Sequence, residues 1–191
     1  MYTVNVQVEG IAPLMQHRFP MPDFADMGKG SKVVTGKVDY SQEWRQSFYA
    51  NGHGIYQPSI HFESSMVKAA GSFKIPGKRG ASYKDLFKSN VFIYPEEILF
   101  NVEVPTQLDN DADKELYLDC RPVVVNKARV VRMRPTFKRG WKLEFEIQVG
   151  DDQIPPDVVK SVLDQSGKVC GVGDFRPRFG RFMVTKFEVV K

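Results

Sequence analysis

Cysteine and histidine are scarce in this chain of 191 residues, which carries only Cys120 and Cys170 and only His17, His53 and His61. Two cysteines far apart and in no ligand-like spacing signal neither a disulfide framework nor a cysteine metal site, so a reducing compartment is the simplest setting. No apolar run reaches the length of a membrane span, and the residues after Met1 alternate polar and apolar instead of forming an apolar signal core. A soluble, cytoplasmic protein with no membrane partner is expected. Phosphate loops, metal-ligand helices and a Ser-His-Asp order are missing too, so no cofactor and no metal is called for. Gly171-Val172-Gly173 is no dinucleotide fingerprint, because it follows a helix-like run and precedes the last strand. Asp109-Asn-Asp-Ala-Asp opens like a calcium loop, but Lys114 stands where the turn glycine belongs and Cys120 where the closing glutamate belongs. No internal repeat of fixed period is present.

What the chain does hold is charge, unevenly spread. The formal net charge is +4 and the pI about 9.0, modest support for a polyanionic partner. From Arg121 to Lys142 stand eight basic residues and no acid, Arg121, Lys127, Arg129, Arg132, Arg134, Lys138, Arg139 and Lys142, while acids gather from Asp109 to Glu115. Pairing of these arginines with that acidic loop is the structural alternative to a phosphate track.

Strict alternation with Val4, Val6 and Val8 on one side predicts a half-buried strand over Thr3–Glu9. Gln16 to Lys37, with Pro20, Pro22, Gly28, Gly30 and Gly36, reads as a long, mobile insertion, and Ser41–Tyr49 as a short helix. Phe62, Met66, Ala70 and Phe73 form the apolar stripe of a helix over Ile60–Phe73, with Ser59 as N-cap. A short helix through Lys88 and strands at Val91–Tyr94 and Leu99–Val104 follow. Val123–Val125 and Ala128–Met133 pair as a hairpin across Asn126-Lys127, with arginines on both faces of the second arm. Trp141–Val149 alternates as a strand, Pro155 and Pro156 start a helix that Gly167 stops, and the last strand spans Arg181–Val190. There the apolar set changes parity, which predicts a bulge near Thr185.

That order predicts an α+β fold: one domain, 1–191, with a ferredoxin-like antiparallel sheet, two helices and long inserted loops at about 10–58 and 74–140. Ligands would sit on the open sheet face or along the glycine-bearing loop. The loop is Gly171–Phe182, where three glycines, three arginines and three phenylalanines crowd together. Glycines let backbone approach a partner, arginines offer planar forks to phosphate, and aromatic faces stack on bases. Phe175, Arg176, Arg178, Phe179 and Arg181 are the candidate contacts there, joined by Arg129, Arg132 and Arg134 of the basic strand, by Lys168, and by Lys78 and Arg79 of the basic loop after Lys74. Phe182, which begins the final strand, is read as core.

Gly10-Ile-Ala-Pro-Leu-Met, the helix after Tyr56-Gln-Pro-Ser-Ile and the late glycine-arginine loop together resemble the RAMP superfamily, the RNA-binding CRISPR-associated proteins built on RRM-like folds. The backbone-forming subunits of crRNA complexes are the nearest type. Arg121-Pro-Val-Val-Val, Ala128-Arg-Val-Val-Arg-Met-Arg-Pro and Gly173-Asp-Phe-Arg-Pro-Arg-Phe-Gly-Arg-Phe also resemble an uncharacterised family of phage and prophage proteins. The first resemblance implies an RRM-like domain, a single strand of RNA as partner, and head-to-tail self-association. Cleavage would need a histidine near a 2′-hydroxyl, for which His17 beside Arg18 is the candidate, or an aspartate after the first strand, for which Asp23 and Asp26 are. The reading favours a non-catalytic binder of single-stranded RNA or DNA. The alternatives are a phage assembly or host-interaction protein whose basic patch meets an acidic protein, and a RAMP-type ribonuclease.

Overall fold

The computed structural model describes residues 1–19, 43–125 and 127–190. Most of the expected mobile insertion, including Asp23 and Asp26, therefore lies outside the described residues, as does Asn126 of the expected turn.

The chain is mixed α and β. It opens with β1 (Tyr2–Gly10), β2 (Leu14–Met15), α1 (Glu43–Gln46), β3 (Ala50–Asn51) and β4 (Gly54–Pro58). Then come α2 (Ser59–Ala70), α3 (Lys84–Asn90), β5 (Val91–Tyr94) and β6 (Glu97–Leu99). A long ribbon, β7 (Leu116–Val125) and β8 (Ala128–Phe137), precedes β9 (Lys142–Val149), α4 (Pro156–Gln165), a π-helical turn (Ser166–Cys170) and β10 (Phe182–Val190). Among the described residues no helix is long and apolar enough to cross a membrane.

Four strands form the main sheet in the order β10-β1-β9-β5, all antiparallel. Val4, Val6 and Val8 of β1 and Leu143, Phe145, Ile147 and Val149 of β9 point to one face and are buried. That face packs on α2 and α4, with the Phe62 ring 4.8 Å from Phe145 and 5.3 Å from Phe182. Each such side chain fully removed from water contributes about 1.5–3 kcal/mol, so the alternation is the main force that places β1 between β9 and β10. Thr185 is skipped where the β1–β10 register passes from Gln7↔Lys186 to Val8↔Val184, the bulge that the parity change announced.

Several boundaries differ from expectation. Helix α2 ends at Ala70 and not at Phe73, and Gly167 does not stop the last helix but lies inside the π-helical turn that continues it. Helix α2 begins at Ser59 itself, with Pro58 in the N-cap position and no side-chain cap hydrogen bond; the fixed φ of proline presets the entry, and Ser59 is buried. The strand expected at Leu99–Val104 forms instead at Glu97–Leu99, where it pairs with β4. The hairpin arms run ten residues each, beyond both expected ends. Pro122 sits within β7, which is an edge strand and so tolerates the missing donor.

Strand β2 links the halves. It pairs with β8 through Leu14↔Phe137 and Met15↔Thr136, while Leu14 and Phe137 also belong to the main core.

Candidate nucleic-acid interface

The Gly171–Phe182 connection is tied down along its length. Val172 N–H donates to the Gly180 carbonyl (2.9 Å), Gly180 N–H to Pro13 (2.7 Å) and Asp174 N–H to Met15 (2.8 Å). Gly180 has φ +72°, and a Cβ there would lie 1.7 Å from the Val172 carbonyl oxygen, so no other residue fits. Phe175 adopts φ +55°, an uncommon conformation for a bulky side chain. Backbone held in this way clusters at functional sites.

Arg121, on β7, completes the loop. Its guanidinium lies 5.1 Å from the Phe175 ring centre and 4.7 Å from that of Phe179, and it is ion-paired with Asp119. The two rings meet edge to face at 5.8 Å. They are not equivalent: Phe175 is 42% exposed and Phe179 only 6%. Phe179 is therefore an anchor beneath Arg121 and not the open stacking platform that the sequence suggested.

The remaining candidates separate by place. Arg176, Arg178 and Arg181 are exposed on the loop, Lys168 is exposed on the π-helical turn that leads into it, and Arg129 is exposed near the tip of the ribbon. Arg132 is half-buried and stands directly opposite Arg121 in the β7–β8 register. Arg134 departs from expectation: it is 8% exposed, with Nε 3.2 Å from Asp174 Oδ2, so it ties ribbon to loop from inside. Lys78 and Arg79 are not brought to this site. Lys78 donates to Gln153 (3.1 Å), beside the Tyr2 end of β1, whereas the loop adjoins its Gly10 end, roughly 26 Å away at strand rise. In the acidic loop Asp109 pairs with Lys114 and Asp113 with Lys138.

Beside the loop lies a small cavity of about 160 Å³ lined by His17, Tyr49, His61, Gly173 and Asp174. His17 Nδ1 stands 3.6 Å from Asp174 Oδ2. Burial works against ionisation of Asp174, but the His17 contact, the Phe175 backbone N–H and the Arg134 charge together hold its carboxyl below the usual range. Burial, with Arg176 adding to it, pushes His61 down to about 4, so this imidazole is neutral at physiological pH. Its ring meets Tyr49 edge on at 5.3 Å. Asp174, Tyr49 and His61 carried no separate signal in the sequence. Among the described residues no group of His, Cys, Asp or Glu could hold a metal ion.

The open face of the main sheet has the opposite character. Glu9, Glu144, Glu146 and Glu188 stand there against Lys142 and Lys186, two positive charges to four negative. A hollow of about 670 Å³ on that face is bordered by Glu144, Glu146 and Lys186, and a phosphate chain laid across it would meet net repulsion. Of the two surfaces expected to carry a ligand, only the loop and ribbon have the charge for a polyanion.

No family model matches the chain, and no curated protein matches it. Among solved structures, a chain in the cryo-EM structure of the type III-B Cmr-beta bound to cognate target RNA is similar over 100% of this chain, at 15% identity and a TM-score of 0.49. This chain spans 61% of the length of that one.

Proposed function

We propose that this protein binds single-stranded nucleic acid, RNA by preference, along the surface formed by the Gly171–Phe182 loop and the β7–β8 ribbon, and does not cleave it. One observation carries the reading: Arg121 and Arg132 stand directly opposite on the ribbon face that meets the loop, and Arg176 and Arg178 are exposed on the loop beside them. Asp119 pairs with Arg121, and a phosphate backbone running past the exposed Arg176 and Arg178 adds its contacts there, while the exposed Phe175 offers a face for a base.

The strand order β10-β1-β9-β5, with α2 and α4 as the crossovers, supports a ferredoxin-like core with the ribbon as an insertion. RRM-type sheets stack RNA on their open face; the carboxylates here favour the loop side instead. RNA as the strand, and copies aligned head to tail along it, rest on the resemblance of Gly10–Met15 and the late loop to RNA-binding CRISPR-associated proteins. A phage-encoded origin rests on the resemblance from Cys120 to Phe182 alone.

The test is oligonucleotide affinity as a function of salt. A single strand held by phosphate contacts loses affinity with a log-log slope of about 0.7 per contact. Affinity for an acidic protein with none for any oligonucleotide would reverse the reading. Sedimentation with and without a single strand checks self-association, and a strict monomer under both conditions counts against a filament.

A further inference from the structure

The imidazole of His61 is set by a chain of hydrogen bonds that starts from the backbone. Tyr49 N–H donates to Gln16 Oε1 (3.2 Å), and Gln16 Nε2 donates to the Tyr56 carbonyl (2.8 Å). Those two backbone groups fix which end of the Gln16 amide is oxygen and which is nitrogen, an assignment that otherwise stays open. Gln16 Nε2 also donates to Gln57 Oε1 (3.3 Å), which fixes the second amide. The Gln57 nitrogen then faces His61 Nδ1 at 2.6 Å and donates to it. Both glutamines are fully buried. A neutral imidazole whose Nδ1 accepts carries its proton on Nε2. His61 therefore presents a donor and cannot act as a general base through either nitrogen.

Across the cavity the polarity is reversed. Asp174 is an acceptor, and its Oδ2 together with the Nε of the nearly buried Arg134 makes no aligned hydrogen bond despite their approach to 3.2 Å. His17 Nδ1, 3.6 Å from the same oxygen, is its second basic neighbour and stands at the cavity wall. The cavity is far smaller than the ~300–1,000 Å³ of a pocket for a whole drug-sized ligand, and the Tyr49 ring supplies an aromatic wall. An anionic carboxylate at its edge repels a phosphate.

We propose that this cavity takes one nucleobase of the bound strand and reads its edge, with the Asp174 carboxylate accepting from ring and amino N–H groups and His61 Nε2–H donating to the neighbouring carbonyl. Guanine is the fullest match, because it alone sets two N–H groups and a carbonyl in a row on one edge. Arg176, on the loop beside His61, is placed to hold the phosphate of the inserted nucleotide. This inference rests on the nucleic-acid reading above and adds a base preference to it.

The experiment measures binding of oligouridylates that carry one central guanosine, inosine, adenosine or cytidine. Guanosine should bind about tenfold tighter than adenosine or cytidine, with inosine, which lacks the amino group, in between. The preference should vanish in His61→Phe and in Asp174→Asn, read as the ratio between oligonucleotides in each variant. Should either variant fold poorly, side-chain ¹⁵N NMR of the unaltered protein decides: His61 should show the Nε2–H tautomer and shift on addition of guanosine monophosphate, but not of uridine monophosphate. Equal affinity for all four bases, or a His61 signal indifferent to both nucleotides, overturns the base pocket and leaves the phosphate track standing. Binding of no oligonucleotide overturns both, and cleavage of the strand overturns the non-cleaving reading above.

Discussion

The main sheet and the β7–β8 ribbon are both antiparallel, yet they use their two faces in opposite ways. In the sheet, one face is buried on α2 and α4 and the other is polar with an excess of carboxylates. In the ribbon, the face with Asp119, Arg121, Arg132 and Arg134 turns to the loop, while Val124 at 70% and Val131 at 51% are exposed on the other. Stability is concentrated in the first surface and binding capacity in the second. Where apolar alternation decides the register, charges are left for the outer face; where arginines stand in register with one another, the strands are held by other means, here by β2 and the loop.

The largest effect that sharpens this contrast is expected at Phe182. Its ring is fully buried among Phe62 and Trp141, so Phe182→Ala should lower unfolding free energy by about 3–5 kcal/mol. Phe175→Ala, seven residues earlier on the exposed side, should lower it by only about 1 kcal/mol, through the lost ring contacts with Phe179 and Arg121. Equal losses in chemical denaturation would erase the distinction between the two surfaces. Next in size is a pH effect. The folded-state pKa of His61, about 4, is below the unfolded value of about 6.5. Between these values the unfolded chain binds more protons, so stability present above pH about 6.5 is lost as pH falls towards 4, on the order of 3 kcal/mol in full. His61→Phe should flatten that part of the profile.

Smaller again is the binding effect of Phe175→Ala, expected to weaken single-strand affinity by about 1–3 kcal/mol. Replacement of Arg132 by alanine should reduce the salt slope by about 0.7 while affecting all sequences alike, whereas Arg129→Ala should leave it unchanged, because Arg129 stands opposite Val124 on the ribbon face turned away from the loop. Arg134→Ala should instead act through stability, because it strips Asp174 of its buried partner. The smallest effect is expected from Lys78→Ala with Arg79→Ala: an unchanged salt slope, since they lie at the far end of the sheet. A slope that falls with that pair would mean the strand follows a path outside the loop and ribbon.

Much of the sheet is legible in the sequence, because β1 and β9 are half-buried and period-two alternation is the direct imprint of that condition. Even the bulge at Thr185 left a trace in parity. The ribbon was legible in register but not in length. A turn at Asn126-Lys127 places Arg121 opposite Arg132 by counting back, but the alternation expected of a strand does not mark where its arms end. The cavity was not legible at all. His17, Tyr49, His61 and Asp174 come from four separate segments, and β2, the piece that brings two of them together, is two residues long. Gln16 and Gln57 gave no signal either, since a glutamine in a sequence carries no mark of whether it is buried. Within the loop, composition alone could not separate Phe175 from Phe179; what separates them is Arg121, which arrives from another element.

The strand order also has a consequence for how the chain is made. Strand β1 is complete by Gly10, yet its neighbours begin at Lys142 and Phe182. At ~5–20 residues per second on the ribosome, roughly 7–26 s pass before β9 follows it out, and longer before β10. For that interval Val4, Val6 and Val8 wait with both strand edges open, the condition in which nascent β segments pair with the wrong partner. The three valines that anchor the finished core are thus its main hazard during synthesis. A chaperone that shields an extended apolar segment should engage this protein through β1 and release it only when β10 arrives.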